Sequence, residues 1–318
     1  MKKNSNGYID FKQVIPNQRK AIKEGILEST NGCGPHYQGW WLKNIDEKNW
    51  FMKIFCESKL PYRFYVELLL EHLAQVVQIP TIKSEIVSLG HGLYGLISED
   101  YRMEDKEIFS GKEIMLQYLN FLKDNEKLES TLGISSLDNL NNSLLEYNSL
   151  EMVAHALDYH FQNKPNKKEL CSNILNGLCD RYVFLFLMMQ SDFHLGNWEV
   201  FEGDNLAFLT PCFDMDMSFR KNFADSSKNN SLKYKMIPCN NVYEDFASFY
   251  NDASAERKKE IDNYLSLLTP FAIENSIAIV ARKHNIAFPE EYKNEILKNY
   301  SEHYENVQSV LKRQDRIR

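Results

Sequence analysis

The chain divides into a β-rich first hundred residues and a mainly helical remainder, which makes the predicted fold class α+β with two parts of unequal size. Three observations predict it. First, strand patterns crowd the start: "WWLKNI", a DEKN turn and "WFMKIF" form a β-hairpin, and "TIKSEIVSL" and "LYGLIS" are two more strands around a Gly-His-Gly turn. Second, between those pairs Val66, Leu69, Leu70, Leu73 and Val77 recur every three to four residues, which predicts one helix ending before Pro80. Third, helical patterns dominate after residues 98–101. The predicted domains are therefore 1–99, with a Gly-rich loop, the hairpin and one helix, and 100–318, with the helices.

Each later stretch adds to that frame. Residues 104–150 are polar and Asn- and Ser-rich with weak periodicity, while 167–189 read as one long helix whose apolar end, "YVFLFLMM", is buried. That run is far short of the roughly 20 residues that cross a bilayer. "WEVF" and "LAFLT" are two short strands around an EGDN turn, and 220–240 form a polar, locally basic surface loop. The rest reads as amphipathic helices without a repeat period. Residues 1–28 fit either the first part or a partner-docking segment.

Composition narrows the function classes. A chain of 318 residues with 43% hydrophobic content can bury a full core, and a net charge of −7 argues against direct nucleic-acid binding, which needs a face of clustered Lys and Arg. Cys33, Cys56, Cys171, Cys179, Cys212 and Cys239 form no Cys-x-x-Cys pair, and "MKKNSNGYID" lacks the apolar stretch of a secretory signal. Reduced thiols in a cytosolic setting are the expectation, with no membrane span.

The chemistry gathers in "MMQSDFHLGNWEVFEGDNLAFLTPCFDMD", residues 188–216. Phosphoryl transfer needs a carboxylate to orient the nucleophile, oxygen ligands for Mg²⁺, a cation on the nucleotide phosphates and a flexible cradle over them. Asp192 and Asn197 stand five apart, the spacing of a kinase catalytic loop, and Asp214 follows a hairpin. Asp192 would accept the hydroxyl proton while Asn197 and Asp214 hold metal.

These residues resemble the HipA-like kinases, bacterial Ser/Thr kinases of toxin–antitoxin type, whose loop runs Gly-Asn-x-Asp-x-His-x-x-Asn, then a hairpin, then Pro-x-aromatic-Asp. Here the motif stands as Gln190-Ser191-Asp192-Phe193-His194-Leu195-Gly196-Asn197, then Pro211-Cys212-Phe213-Asp214. The resemblance covers about residues 29–218. It implies a bilobal protein kinase-like fold, ATP and Mg²⁺ as cofactors, a protein substrate and an antitoxin-type protein partner. It makes Asp192 the catalytic Asp and Asn197 and Asp214 the metal ligands. Lys53 matches the strand lysine that reaches the phosphates, and Glu67 its helix partner. "LISEDY" at 96–101 looks like the hinge, where Ser98, Glu99 and Asp100 would meet adenine, and Gly32 and Gly34 lie in the phosphate loop. His194 joins the candidate catalytic residues, in a bracing role that has the ring donate to a backbone carbonyl. Asp216 is a candidate outer ligand, and Ser29 or Thr30, just before the Gly-rich loop, a candidate autophosphorylation site. The basic run Arg220, Lys221, Lys228, Lys233 and Lys235 is expected to help hold the substrate.

Plainer readings stand beside these. Asp-x-His alone is most often a loop capping itself; Lys53 on a strand could be a solvated edge residue; Glu67 could pair with Arg63 or share a wet face with Glu71. The Gly-rich loop lacks Gly-x-Gly-x-x-Gly. A lipid or small-molecule kinase, and a catalytically weak pseudokinase suggested by Gln190-Ser191 and the altered phosphate loop, are the alternative functions.

Overall fold

A computed structural model describes residues 1, 3–30, 38–55, 61–102, 106–127, 149–220 and 242–315. Packing divides the chain into two compact units. One comprises Met1–Tyr101 with Phe271–Leu297, the other Arg102–Pro270 with Lys298–Arg318. The sequence reading places 271–297 with the C-terminal helices, whereas these residues pack in the first unit.

In the first unit, β1 (Ile9–Asp10) leads into two short helices, α1 (Phe11–Val14) and α2 (Gln18–Lys23), each N-capped by a side chain, Asp10 and Asn17. Then come β2 (Leu27–Ser29), the hairpin β3 (Gln38–Ile45) and β4 (Lys48–Ile54), helix α3 (Tyr62–Val76), and β5 (Ser84–Gly90) with β6 (Leu93–Glu99). The strands form one sheet in the order β1-β5-β6-β4-β3-β2, all antiparallel except β1 beside β5. The hairpin turns at Asp46 and Glu47, both at positive φ, which matches the twist of the flanking strands.

Strand alternation decides what each face carries. Met52 and Ile97 join Ile9, Phe11, Ile15, Ala21, Leu27, Leu42 and Val87 in one buried cluster, so the N-terminal segment belongs to this unit's core. Lys53, one residue on from Met52, points to the opposite face. There Leu96, its partner across the ladder, is buried, and α3 supplies Glu67. Further along α3, the buried Glu71 carboxylate accepts from Ser84 N at 2.8 Å and meets Lys283 at 3.5 Å. Burial raises the pKa of Glu71.

The second unit opens with β7 (Glu107–Ser110) and α4 (Gly111–Asp124), which lie in the stretch that reads as weakly periodic. Ser110 Oγ accepts from Glu113 N while the Glu113 carboxylate accepts from Ser110 N, a capping box that fixes the start of α4. Next come α5 (Leu150–His160) and α6 (Lys167–Leu187), whose last turns are buried as expected. Strands β8 (Glu199–Glu202) and β9 (Ala207–Leu209) complete a three-stranded sheet, β7-β8-β9. Helices α7 (Val242–Asp252) and α8 (Ala255–Leu267) follow, with Phe246 of α7 stacked on Phe186 of α6 at 3.9 Å. The last described helices are α9 (Pro270–His284) and α10 (Glu290–Asp315). Among the described residues Cys171, Cys179 and Cys212 are free thiols, and no single helix is long and apolar enough to cross a membrane.

Candidate active site

The first unit brings Lys53 and Glu67 together. Lys53 Nζ donates to both carboxylate oxygens of Glu67, at 3.0 and 3.1 Å, and the two side chains are only 9% and 14% exposed. Strand β4 lies between β6 and β3, so Lys53 is not a solvated edge residue. An unpaired ammonium would not stay buried there, and the bidentate carboxylate makes its charge tolerable. Ser98 and Glu99 end β6, Asp100 N donates to Asn49 O at 2.8 Å, and Glu99 pairs with Lys48 at 2.7 Å. These contacts fix the strand end just before the chain leaves the unit at Tyr101. Ser29 ends β2 exposed, and Thr30 N donates to Gly39 O. Gly32 and Gly34 lie outside the described residues, as does the basic run beyond Arg220.

The second unit gathers Asp192, His194, Asn197 and Asp214 on two loops. Phe193 and Leu195 are buried, which anchors the first loop and leaves the Asp192 and His194 side chains partly exposed between them. The Asn197 amide, 5% exposed, donates from Nδ2 to the Asp192 carbonyl at 2.5 Å. That bond turns the Asn197 Oδ1 end away from the carbonyl. His194 braces the loop in the reverse sense to that expected: Nδ1 accepts from Gly196 N at 3.0 Å, which selects the Nε2-protonated tautomer. Its Nε2 is 3.9 Å from Asp192 Oδ1, beyond hydrogen-bond reach. A Cβ on Gly196 would come within 2.9 Å of the ring, so glycine keeps this arrangement open.

Helix α4 seats the loop from outside. The first N–H groups of a helix have no partner within it, and here Gly111 N donates to Trp198 O and Lys112 N to Leu195 O, both at 2.9 Å. A Cβ on Gly111 would fall 2.2 Å from the fully buried Trp198 ring. The Ser-x-x-Glu signature of α4 and its apolar positions 114, 115, 118, 119 and 122 are visible in the sequence, and they were the signal for this missed support.

The second loop is tied to the first. Gln190 Nε2 donates to Asp214 O at 3.0 Å, Ser191 Oγ to Met217 O at 3.1 Å, and Phe219 N to Met188 O at 3.1 Å. Asp214 has φ 56°, a left-handed conformation that Asp tolerates better than most residues. Asp216 beside it is buried.

The donor set suits a hard cation. Mg²⁺ takes oxygen ligands, and it commonly uses one or two from the protein and the rest from phosphates and water. Asp214 and the oxygen end of Asn197 fit that pattern. Among the described residues no three His, Cys, Asp or Glu side chains gather as a metal site.

The fold is protein-kinase-like, with a sheet-rich first unit and a mainly helical second part. Over 98% of this chain and 99% of the other, it is similar to the crystal structure of the Helicobacter pylori proinflammatory kinase CtkA, with a TM-score of 0.54 and 14% identity; the likeness is therefore one of fold. HipA of Shewanella oneidensis MR-1, solved with HipB and operator DNA, aligns with 91% of this chain and 66% of its own at 16% identity; its TM-score of 0.49 supports nothing further. No family model matches the chain, and no curated protein matches it.

Proposed function

We propose that the protein is an ATP- and Mg²⁺-dependent phosphotransferase, a HipA-like serine/threonine kinase that transfers the γ-phosphoryl group to a protein hydroxyl. The observation that carries the reading is the buried, bidentate Lys53–Glu67 pair, because kinases need such a pair to present a cation to the nucleotide phosphates. ATP supplies the phosphoryl group and Mg²⁺ neutralises its charge. Lys53 would hold the phosphates, Asn197 and Asp214 the metal, and Ser98 to Asp100 would meet the adenine. Asp192, half-exposed on a loop fixed from three sides, orients the acceptor hydroxyl and takes its proton. His194, through Gly196, keeps that loop in shape. On this reading the lobes are residues 1–99 and 100–318, except that 271–297 pack with the first, and the resemblance of the loop motif supports an antitoxin-type protein partner.

The test is incubation with γ-labelled ATP and Mg²⁺, followed by location of the label. Label on protein supports the reading. Label on a lipid or metabolite moves the substrate to the small-molecule class, and no transfer under any divalent cation overturns it.

A further inference from the structure

Residues 190 and 191 are where the loop departs from the Gly-Asn of the HipA-like motif, and both side chains reach across to the segment that carries Asp214. Gln190 is fixed at its backbone by donating N–H to Leu185 O at 2.9 Å, and its side chain, in a residue only 3% exposed, donates Nε2 to Asp214 O at 3.0 Å. Ser191 donates Oγ to Met217 O at 3.1 Å. The Gln190 amide cannot be turned round, since its oxygen would then face a carbonyl oxygen. Gln190 Oε1 is left buried with no hydrogen-bond partner among the described residues.

That incomplete satisfaction is informative. A buried polar group left without a partner costs roughly 1–3 kcal/mol, which offsets much of what the amide's one hydrogen bond contributes to stability. The one bond the amide makes falls on the backbone of a residue at φ 56°. Left-handed backbone costs most non-glycine residues about 1–2 kcal/mol and Asp less, so a hydrogen bond to this backbone helps to decide which conformation is kept.

We propose that Gln190 and Ser191 are positioning residues, a two-point clamp that holds Asp214–Met217 in the conformation from which Asp214 binds the metal of the nucleotide complex. The proposal rests on the kinase reading above. The clamp acts on Asp214 through its backbone, so neither residue touches the reacting atoms. Gln190 governs Asp214 itself, and Ser191 steadies the segment three residues on. The same departure that suggests a weak pseudokinase from sequence alone is on this account a support of the metal site.

The experiment measures binding of a non-hydrolysable ATP analogue by calorimetry, with and without Mn²⁺, alongside the thermal midpoint, in the full chain and in Gln190→Met, Gln190→Glu and Ser191→Ala. Gln190→Met should change the thermal midpoint little and lose about 10–100-fold of the Mn²⁺-dependent part of the affinity, the usual loss when an outer partner of a metal site is removed. Metal-free binding should not change. Gln190→Glu should lose more, since a carboxylate has no donor for Asp214 O, and Ser191→Ala less. If wild type shows no Mn²⁺-dependent binding, the kinase reading and the clamp fall together. If wild type shows it and Gln190→Met and Gln190→Glu match wild type, the clamp alone is wrong. A Gln190→Met protein whose thermal midpoint drops in step with its metal affinity also overturns the clamp, because Gln190 would then only support the fold.

Discussion

Lys53 and Glu67 sit on a strand and a helix, are nearly shut off from water and meet side chain to side chain. Asp192 and Asp214 sit on loops, Asp192 half in solvent, and what holds them is other side chains bonding to backbone. The first arrangement is rigid because regular structure places both partners, and its charge is satisfied before any ligand arrives. The second sets its carboxylates on loops, which need dedicated ties. A pair made for permanence should therefore fail first in stability, and a loop made for chemistry should fail first in turnover.

Asp192→Asn offers the largest test of that contrast. It keeps size and removes the proton acceptor, so kcat should fall by about 10²–10⁴-fold while affinity for Mg²⁺ and a non-hydrolysable ATP analogue and the thermal midpoint stay as in wild type. A variant that binds normally and still transfers phosphate at the wild-type rate would remove Asp192 from the mechanism.

Glu67→Leu should do the opposite. It takes the Glu67 carboxylate from the Lys53 ammonium in a site where the side chain is 9% exposed, and breaking a buried pair by deleting one partner costs about 3 kcal/mol. The double variant Lys53→Met with Glu67→Leu should regain most of that stability in urea denaturation and none of the nucleotide binding. If the single and double variants are equally stable, the pair is not the buried unit described here.

Asp214→Asn lies between these cases. The side chain keeps one oxygen and loses its charge, so Mg²⁺-dependent nucleotide affinity should drop by at least the roughly 10–100-fold seen for outer partners, with turnover falling as well. Asp192→Asn and Asp214→Asn should thus separate by calorimetry even where both lose activity. Equal nucleotide affinity in the two would mean that Asp214 does not hold the metal.

The same contrast explains what was legible in the sequence. The hairpin, α3 and α6 announce themselves through alternation and three-to-four spacing, and Lys53 and Glu67 follow from their order along them. Strand β1 has only two residues, and its pairing with β5 is fixed by contacts made nearly eighty residues away, so the place of 1–28 was not readable. Nor was that of 271–297, which joins the first unit through contacts such as Lys283 with Glu71 and the rings of Tyr65 and Phe288. The loop motif singles out Asp192 and Asp214 as candidates but does not show what holds them. The Gln190 bond ends on a backbone carbonyl, which leaves no mark on residue identity.

Acid should act on a half-buried histidine in one unit and a buried one in the other, the smallest effect because it vanishes at neutral pH. In the first unit, burial and the nearby Lys283 lower the pKa of His284 to about 4, with Lys3, Glu85 and His72 also close by. In the second, complete burial beside Tyr243 lowers that of His303 to about 3. Both values are depressed, so between the ordinary 6.5 and those values the unfolded chain takes up a proton that the folded chain refuses. The stability these residues give is therefore complete above about 6.5 and declines as pH falls through the window, by up to about 1.4 kcal/mol per pH unit for each proton. Glu71 works in the opposite sense, since its raised pKa makes acid relieve it, and comparison with wild type cancels that contribution. Urea denaturation of wild type and His303→Phe between pH 7.5 and 5 should give parallel stabilities at the top of the range and a shallower decline for the variant below 6.5. Identical slopes would mean that His303 is protonated in the folded protein, and the packing of Phe186, Tyr243 and Tyr300 around it would have to admit a charge.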